Sequence, residues 1–213
     1  MAKVICIMGE SGSGKTTSMR NLIAEETIYI DCDKKGLSWK GWRNQYNLEN
    51  KNYYATDDVN KIMVILKGVS DKREDVKNII IDTINGIMVG DEMRRSKEKG
   101  YDKWIDLASC IWNLVDVAPT LRDDLNIIFT AHTQTERDES GFMFTRIKTN
   151  GQKLNKISLE SKFTTVLLAK CVDGNYLFET KSKNSTAKTP LDAFEREEIE
   201  NDIVEVIKSL GDY

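Results

Sequence analysis

Apolar residues in this chain fall into short unbroken runs separated by stretches of helical spacing. Val4-Ile5-Cys6-Ile7-Met8, Thr27-Ile28-Tyr29-Ile30-Asp31-Cys32-Asp33, Asn78-Ile79-Ile80-Ile81-Asp82 and Asn126-Ile127-Ile128-Phe129-Thr130-Ala131-His132 each read as a buried strand. They are short, rich in β-branched residues and not alternating, as strands covered on both faces are. Residues 15–26 read as a helix with Met19, Leu22, Ile23 and Ala24 inward, and 59–69 is apolar at helical spacing. Two further helices are expected at about 84–98 and 102–123, separated by a charged loop near Gly100. Strands alternating with helices predict an α/β fold with a mostly parallel central sheet flanked by helices. Residues 133–157 are polar and poorly periodic. Residues 163–171 and 175–181 then predict a β-hairpin turning at Asp173-Gly174, and 194–210 a final helix with Phe194, Ile199, Ile203, Val206, Ile207 and Leu210 inward. With no repeat and no composition break, residues 1–213 read as a single domain.

Composition narrows the chemistry. Lys+Arg is 31 and Asp+Glu is 34, a net charge of −3, so any nucleic-acid contact must come from a local patch. One histidine, His132, excludes a multi-histidine metal site. The cysteines Cys6, Cys32, Cys110 and Cys171 have no CxxC spacing and read as four buried reduced thiols. No apolar run reaches membrane-spanning length, and Met1-Ala2-Lys3 before the first strand makes no signal peptide, so a cytoplasmic location and no membrane contact are expected.

The specific signal is Gly9-Glu10-Ser11-Gly12-Ser13-Gly14-Lys15-Thr16, which fits GxxxxGK[ST] between a strand and an expected helix. Such a loop turns several backbone N–H groups onto one anion, and the following helix would add its positive end. Lys15 would reach the β- and γ-phosphates of ATP, with Thr17 beside it, and the Thr16 hydroxyl would bind Mg²⁺. Asp82, at the end of an apolar strand, is the natural second Mg²⁺ residue, with Thr83 directed to the same ion. Asp33 ends the second strand and could orient and deprotonate a water, with Asp31 alternating with it; the plain alternative is that these acids only open a turn before Lys34-Lys35-Gly36. His132 stands where a polar side chain could touch the γ-phosphate; otherwise it is a surface histidine at a strand end.

In this order the parts resemble the RecA-like ATPase core: a Walker A loop, a strand ending in an acid, a Walker B strand reading Ile-Ile-Asp-Thr, and a strand ending in a polar reporter. The resemblance implies a P-loop NTPase fold ending in a β-hairpin plus helix. It puts the catalytic acid on Asp33 and the reporter on His132, where such proteins usually carry glutamine. Lys181-Ser182-Lys183-Asn184 and Lys188 are similar to a late hairpin whose lysines reach a neighbouring subunit's nucleotide, which makes Lys181, Lys183 and Lys188 trans-acting candidates and a homo-oligomer an expectation. The chain resembles small phage-encoded RecA-like ATPases, including the Sak group of single-strand annealing proteins. That likeness implies single-stranded DNA as partner, phage recombination or annealing as role, the bacterial host cytoplasm as location, and a single-strand-binding protein as a second partner.

Two segments have the cations and rings of a single-strand site. The first, after Asp82, holds Arg94, Arg95, Lys97, Lys99, Tyr101, Lys103 and Trp104. The second, after His132, holds Arg137, Arg146, Lys148, Lys153 and Lys156 with Phe142 and Phe144, diluted by Glu136, Asp138 and Glu139. A solvated charged face is the alternative for each. Two other functions share the P-loop: a nucleotide kinase, for which no arginine-rich lid is visible, and a non-hydrolysing ATP-gated binding module. An ABC-type ATPase lacks its LSGGQ-like segment here, and Asn155-Lys156-Ile157-Ser158 lacks the aspartate by which a GTPase reads guanine.

Overall fold

The computed structural model describes residues 1–100, 102–149 and 158–211. Tyr101 and Lys153, two of the DNA-contact candidates, lie outside the described residues, as do Lys156 and most of the 155–158 segment.

The strands in chain order are β1 (Lys3–Met8), β2 (Thr27–Asp31), β3 (Tyr53–Ala55), β4 (Asn78–Asp82), β5 (Asn126–Ala131), β6 (Thr133–Arg137), β7 (Met143–Ile147), β8 (Thr165–Val172), β9 (Asn175–Glu179) and β10 (Glu198–Glu200). All but β6 and β7 form one sheet in the order β10-β9-β8-β1-β5-β4-β2-β3. From β8 to β3 every pairing is parallel, while β9 and β10 add an antiparallel edge. The predicted hairpin is therefore present, as β8 and β9. The strand that leads into the reporter His132, β5, lies between the P-loop strand β1 and the Asp82 strand β4.

Both faces of the sheet are covered, which is why Ile79, Ile80 and Ile81 are all fully buried. One face packs against α2 (Val59–Lys72), α3 (Ile84–Arg94) and α4 (Asp102–Val117) through Ile62, Leu66, Ile87, Ile111 and Leu114. The other packs against Met19, Leu22, Leu37, Tyr46 and Phe194, with Ile203 and Val206 from α5 (Ile203–Ser209). A short helix, α1 (Trp42–Gln45), carries Trp42 onto Tyr53 at the β3 edge. Side chains cap the helix starts: Asp58 on α2, Thr83 on α3 and Asp202 on α5 each accept a backbone N–H. Among the described residues no helix is long and apolar enough to cross a membrane.

Four expectations need correction. Residues 15–26 do not form an α-helix but two 3₁₀ turns, Thr17–Met19 and Ala24–Glu26. Thr16, Thr17 and Ser18 are poor helix formers, and the Ser18 hydroxyl donates to the Lys15 carbonyl at 2.7 Å. Arg20 and Asn21 are then drawn to Asn201 and Asp202 at the start of α5, at 2.9 and 2.6 Å. The positive end of a long helix is thus not part of the phosphate loop. Second, 194–200 is not helical. Ile199 packs, partly buried, against the core from β10 while Glu198 and Glu200 flank it, so Ile199 and Ile203 share a core without sharing a helix. Third, the polar segment after His132 contains a regular hairpin, β6 with β7, in which Thr133 pairs with Ile147 and Arg137 with Met143. Fourth, Cys6 and Cys32 are buried, but Cys110 on α4 is partly exposed, and Cys171 is exposed because β8 runs on past the end of β1. All are free thiols.

Candidate functional site

All parallel strands end on one edge of the sheet, and the segments leaving that edge carry the predicted residues. Gly9 follows β1, Asp33 lies two residues past β2, Asp82 ends β4 and His132 follows β5. The loop Gly9–Thr16 bends back over the face that also holds Tyr29, Asp31, Asp82 and Thr130. Gly12 and Gly14 take left-handed φ values of +80° and +94°, which side chains other than glycine rarely adopt. Gly14 is further pinned because a Cβ there would sit 2.8 Å from the Tyr176 ring of β9.

Lys15 is buried and its Nζ donates to the carbonyls of Gly9 and Glu10, both at 2.8 Å. Burial pulls its pKa down to about 8, with Asp82 opposing that shift and Lys35 adding to it. Asp82 is the centre of a hydroxyl cluster. Its Oδ2 accepts from Thr16 Oγ1 at 2.8 Å and from Tyr29 OH at 2.6 Å, and its Oδ1 accepts from Thr130 Oγ1 at 2.6 Å. Asp33 accepts from Lys35 Nζ at 2.6 Å and Thr83 Oγ1 at 3.1 Å. Asp31 lies on the same face but has other partners, its Oδ2 held by Tyr53 OH and the Gly36 N–H, both at 2.7 Å.

A cavity of about 430 Å³ opens among Gly12, Lys15, Thr16, Lys35, His132 and Tyr176. His132 is half-buried there, and its pKa lies below the ordinary histidine value, chiefly through burial and then through the Lys15 charge. Its backbone is fixed from α3. Asn85 accepts the His132 N–H at 2.7 Å and donates to the Lys148 carbonyl at 2.8 Å, so one side chain clamps both ends of the β6–β7 hairpin. The phosphate loop touches the same hairpin: Thr133 Oγ1 donates to Glu10 Oε1 at 2.7 Å.

A glycine-rich loop, a buried lysine, and a hydroxyl joined to a strand-end carboxylate make a triphosphate cradle. The family model of the AAA domain matches residues 1–191, nine-tenths of the chain. This chain belongs to the AAA domain family. No curated protein matches it.

The match runs from β1 through β9 and so takes in the whole strand-end cluster of this AAA domain. A P-loop ATPase-type domain implies a bound nucleotide with Mg²⁺, and the donor set fits that ion. Thr16 and Asp82 offer hard oxygen ligands side by side, while among the described residues no group of three His, Cys, Asp or Glu side chains gathers as a protein-only cage. Mg²⁺ is held in this way elsewhere, by one or two protein oxygens and the phosphates themselves.

The structure brings Lys15, Thr16, Thr17, Asp33, Asp82 and His132 together around one cavity and its rim. The DNA and trans candidates are scattered. Arg94 pairs with Asp57 at 3.1 Å, and Arg95 with Glu98 at 2.8 Å and Asp106 at 3.2 Å. Lys103 is buried and donates to the Arg95 carbonyl at 2.7 Å. Arg146 is buried between Glu136 at 3.3 Å and Glu160 at 3.6 Å. Lys103 and Arg146 therefore serve the interior rather than a ligand-facing surface, a correction to their assignment as DNA contacts. Lys97, Lys99 and Lys148 are exposed. Lys183 is engaged by Glu197 and Glu198, while Lys181 and Lys188 are exposed.

Sequence reasoning missed Lys35, Tyr29, Thr130 and Tyr176. Lys35 reads as part of a turn, although its position two residues after Asp33 is a signal. Thr130 was readable as the residue two before His132, on the same face of its strand. Tyr176 had no local signal, since only the β8–β9 pairing brings it over Gly14.

Proposed function

We propose that this AAA domain hydrolyses ATP with Mg²⁺ and uses the nucleotide state to control binding of single-stranded DNA. The observation that carries the reading is the hydrogen-bonded chain from the phosphate loop through Thr16 to Asp82, beside the buried Lys15. Backbone N–H groups of residues 9–16 and the Lys15 ammonium would hold the β- and γ-phosphates. Thr16 and Asp82 would hold Mg²⁺, which when bound neutralises charge between those phosphates. Asp33 would orient the attacking water. The water oxygen forms a bond to the γ-phosphorus as the bond to the bridging oxygen breaks, ADP leaves with that electron pair, and the water's proton passes to the Asp33 carboxylate.

The DNA half of the reading is supported by the link from Glu10 through Thr133 into the β6–β7 hairpin, whose far end exposes Phe142 and Met143. A change at the phosphate loop thus has a direct route to a hairpin that exposes the Phe142 ring for base stacking at its tip and Lys148 for phosphate at its base. The similarity to phage-encoded RecA-like annealing ATPases supplies the DNA class and a role in recombination or annealing. It also supports a homo-oligomer, with Lys181 and Lys188 as the exposed cations for a neighbour's nucleotide. The test is phosphate release from ATP with and without a single-stranded oligonucleotide, with Lys15→Ala as the blank. Stimulation by DNA is expected. A wild-type rate that DNA leaves unchanged, together with no ATP-dependent DNA binding, would remove the DNA half.

A further inference from the structure

The cavity contains a second lysine. Lys35 lines it together with Lys15, Thr16 and His132, yet its Nζ rests on Asp33 at 2.6 Å. The backbone around Lys35 is fixed on both sides. Lys34 takes a left-handed φ of +56° and its ammonium is held by Asp57 at 2.7 Å. Gly36 takes φ +81° and donates its N–H to the buried Asp31 at 2.7 Å, and Asp31 is braced in turn by Tyr53. Leu37 is buried in the core, and Ser38 shares a hydrogen bond with Thr17 of the phosphate loop at 3.0 Å. The Lys35 side chain projects from this fixed backbone into the space facing the loop.

Two ammonium groups, Lys15 and Lys35, thus line one cavity. A triphosphate between them would meet both charges. The Asp33 carboxylate, meanwhile, is occupied by the Lys35 ammonium on one oxygen and the Thr83 hydroxyl on the other, which leaves a water little access to it.

We propose that Lys35 is a cis-acting cation for the γ-phosphate, and that it reaches the phosphate by leaving Asp33, so that triphosphate binding itself uncovers the water-activating carboxylate. The proposal rests on the ATPase reading above. ADP, lacking the γ-phosphate, leaves Lys35 on Asp33. The site thereby distinguishes triphosphate from diphosphate and arms its base only when there is something to hydrolyse.

The experiment compares wild type, Lys35→Ala, Lys35→Arg and Lys15→Ala in direct binding of ATP and ADP and in single-turnover hydrolysis. Lys35→Ala should bind ADP as wild type does, lose most of the preference for ATP over ADP, and hydrolyse about a hundredfold more slowly. Lys35→Arg should recover much of both. Unaltered ADP binding shows that Lys35→Ala is folded. Wild-type hydrolysis and wild-type ATP preference in Lys35→Ala would overturn the proposal and leave Lys35 as a loop ion pair only. Wild-type protein that neither binds nor hydrolyses ATP, like Lys15→Ala, would instead overturn the ATPase reading and the proposal with it.

Discussion

Asp82 is buried with three hydroxyl donors on its two oxygens, from Thr16, Tyr29 and Thr130. Hydroxyls satisfy a carboxylate without adding charge, so Asp82 can exchange the Thr16 contact for a metal while Tyr29 and Thr130 still hold it. Tyr29 is the structural donor of the three, since its ring packs edge-on against Tyr46 in the core. Tyr29→Phe should cost about 1.5–3 kcal/mol in denaturant unfolding, the range for a hydrogen bond to a charged group. The cost should shrink when Asp82→Asn is already present; equal losses in both backgrounds would show that the hydroxyl does not act through Asp82. His132 offers a cleaner probe because it is the chain's one histidine, so its ring proton signals need no assignment. It should titrate below 6.5, since burial and the Lys15 charge both favour the neutral ring. Removing a cation with Lys35→Ala should raise that pKa, and removing an anion with Asp33→Asn should lower it. For stability the sign follows: the unfolded chain takes this proton more readily, so His132 costs stability as pH falls below 6.5. His132→Gln should therefore narrow the gap in stability between pH 7.5 and pH 5.5.

Elements differ in how much of their placement is local. The strand at 78–82 was legible because three successive isoleucines before an acid can only be a strand buried on both faces, and Asp82 stands at its end for the same reason. The phosphate loop was legible because its glycines are demanded by backbone conformation. The turns at 17–26 were not, because apolar spacing there satisfied a helix while hydroxyl side chains and contacts to the distant α5 broke it. The β6–β7 hairpin was invisible because it carries polar residues on both faces and is fixed by Asn85 and Glu10 from outside. Such external fixing makes Thr133 a test of coupling between elements. Under the proposed ATP-controlled DNA binding, Thr133→Val should leave ATP affinity near wild type while DNA affinity, read by anisotropy of a labelled oligonucleotide, loses its response to ATP. A response that persists would exclude the Glu10–Thr133 route. At the opposite edge of the sheet, Arg122 donates to the carbonyl of Val76 at 2.6 Å and of Arg73 at 3.2 Å, and pairs with Asp124, so it ties the end of α2 to the start of β5. Arg122→Ala should lower stability by about 1–3 kcal/mol with phosphate release per folded molecule unchanged, because several carbonyls lose a charged donor far from the site.

For the molecule as a whole, the sheet places a loop, two acids and a histidine on one edge with little else to do there, and the fold supplies the scaffold that keeps them in register. Bound nucleotide should therefore stabilise the whole chain. At a hundredfold excess over its dissociation constant, ATP contributes about 2.7 kcal/mol, which for a chain of this size raises the thermal midpoint by roughly 5–10 °C. Lys15→Ala should show no such rise. The most direct test of the central claim is phosphate release from ATP by purified protein, with Mg²⁺ or with excess chelator, for wild type, Lys15→Ala and Asp82→Asn. The account predicts release by wild type with Mg²⁺ that falls about a hundredfold or more on chelation or with either substitution. Equal release in every arm, or none from wild type with Mg²⁺ and ATP, would contradict it.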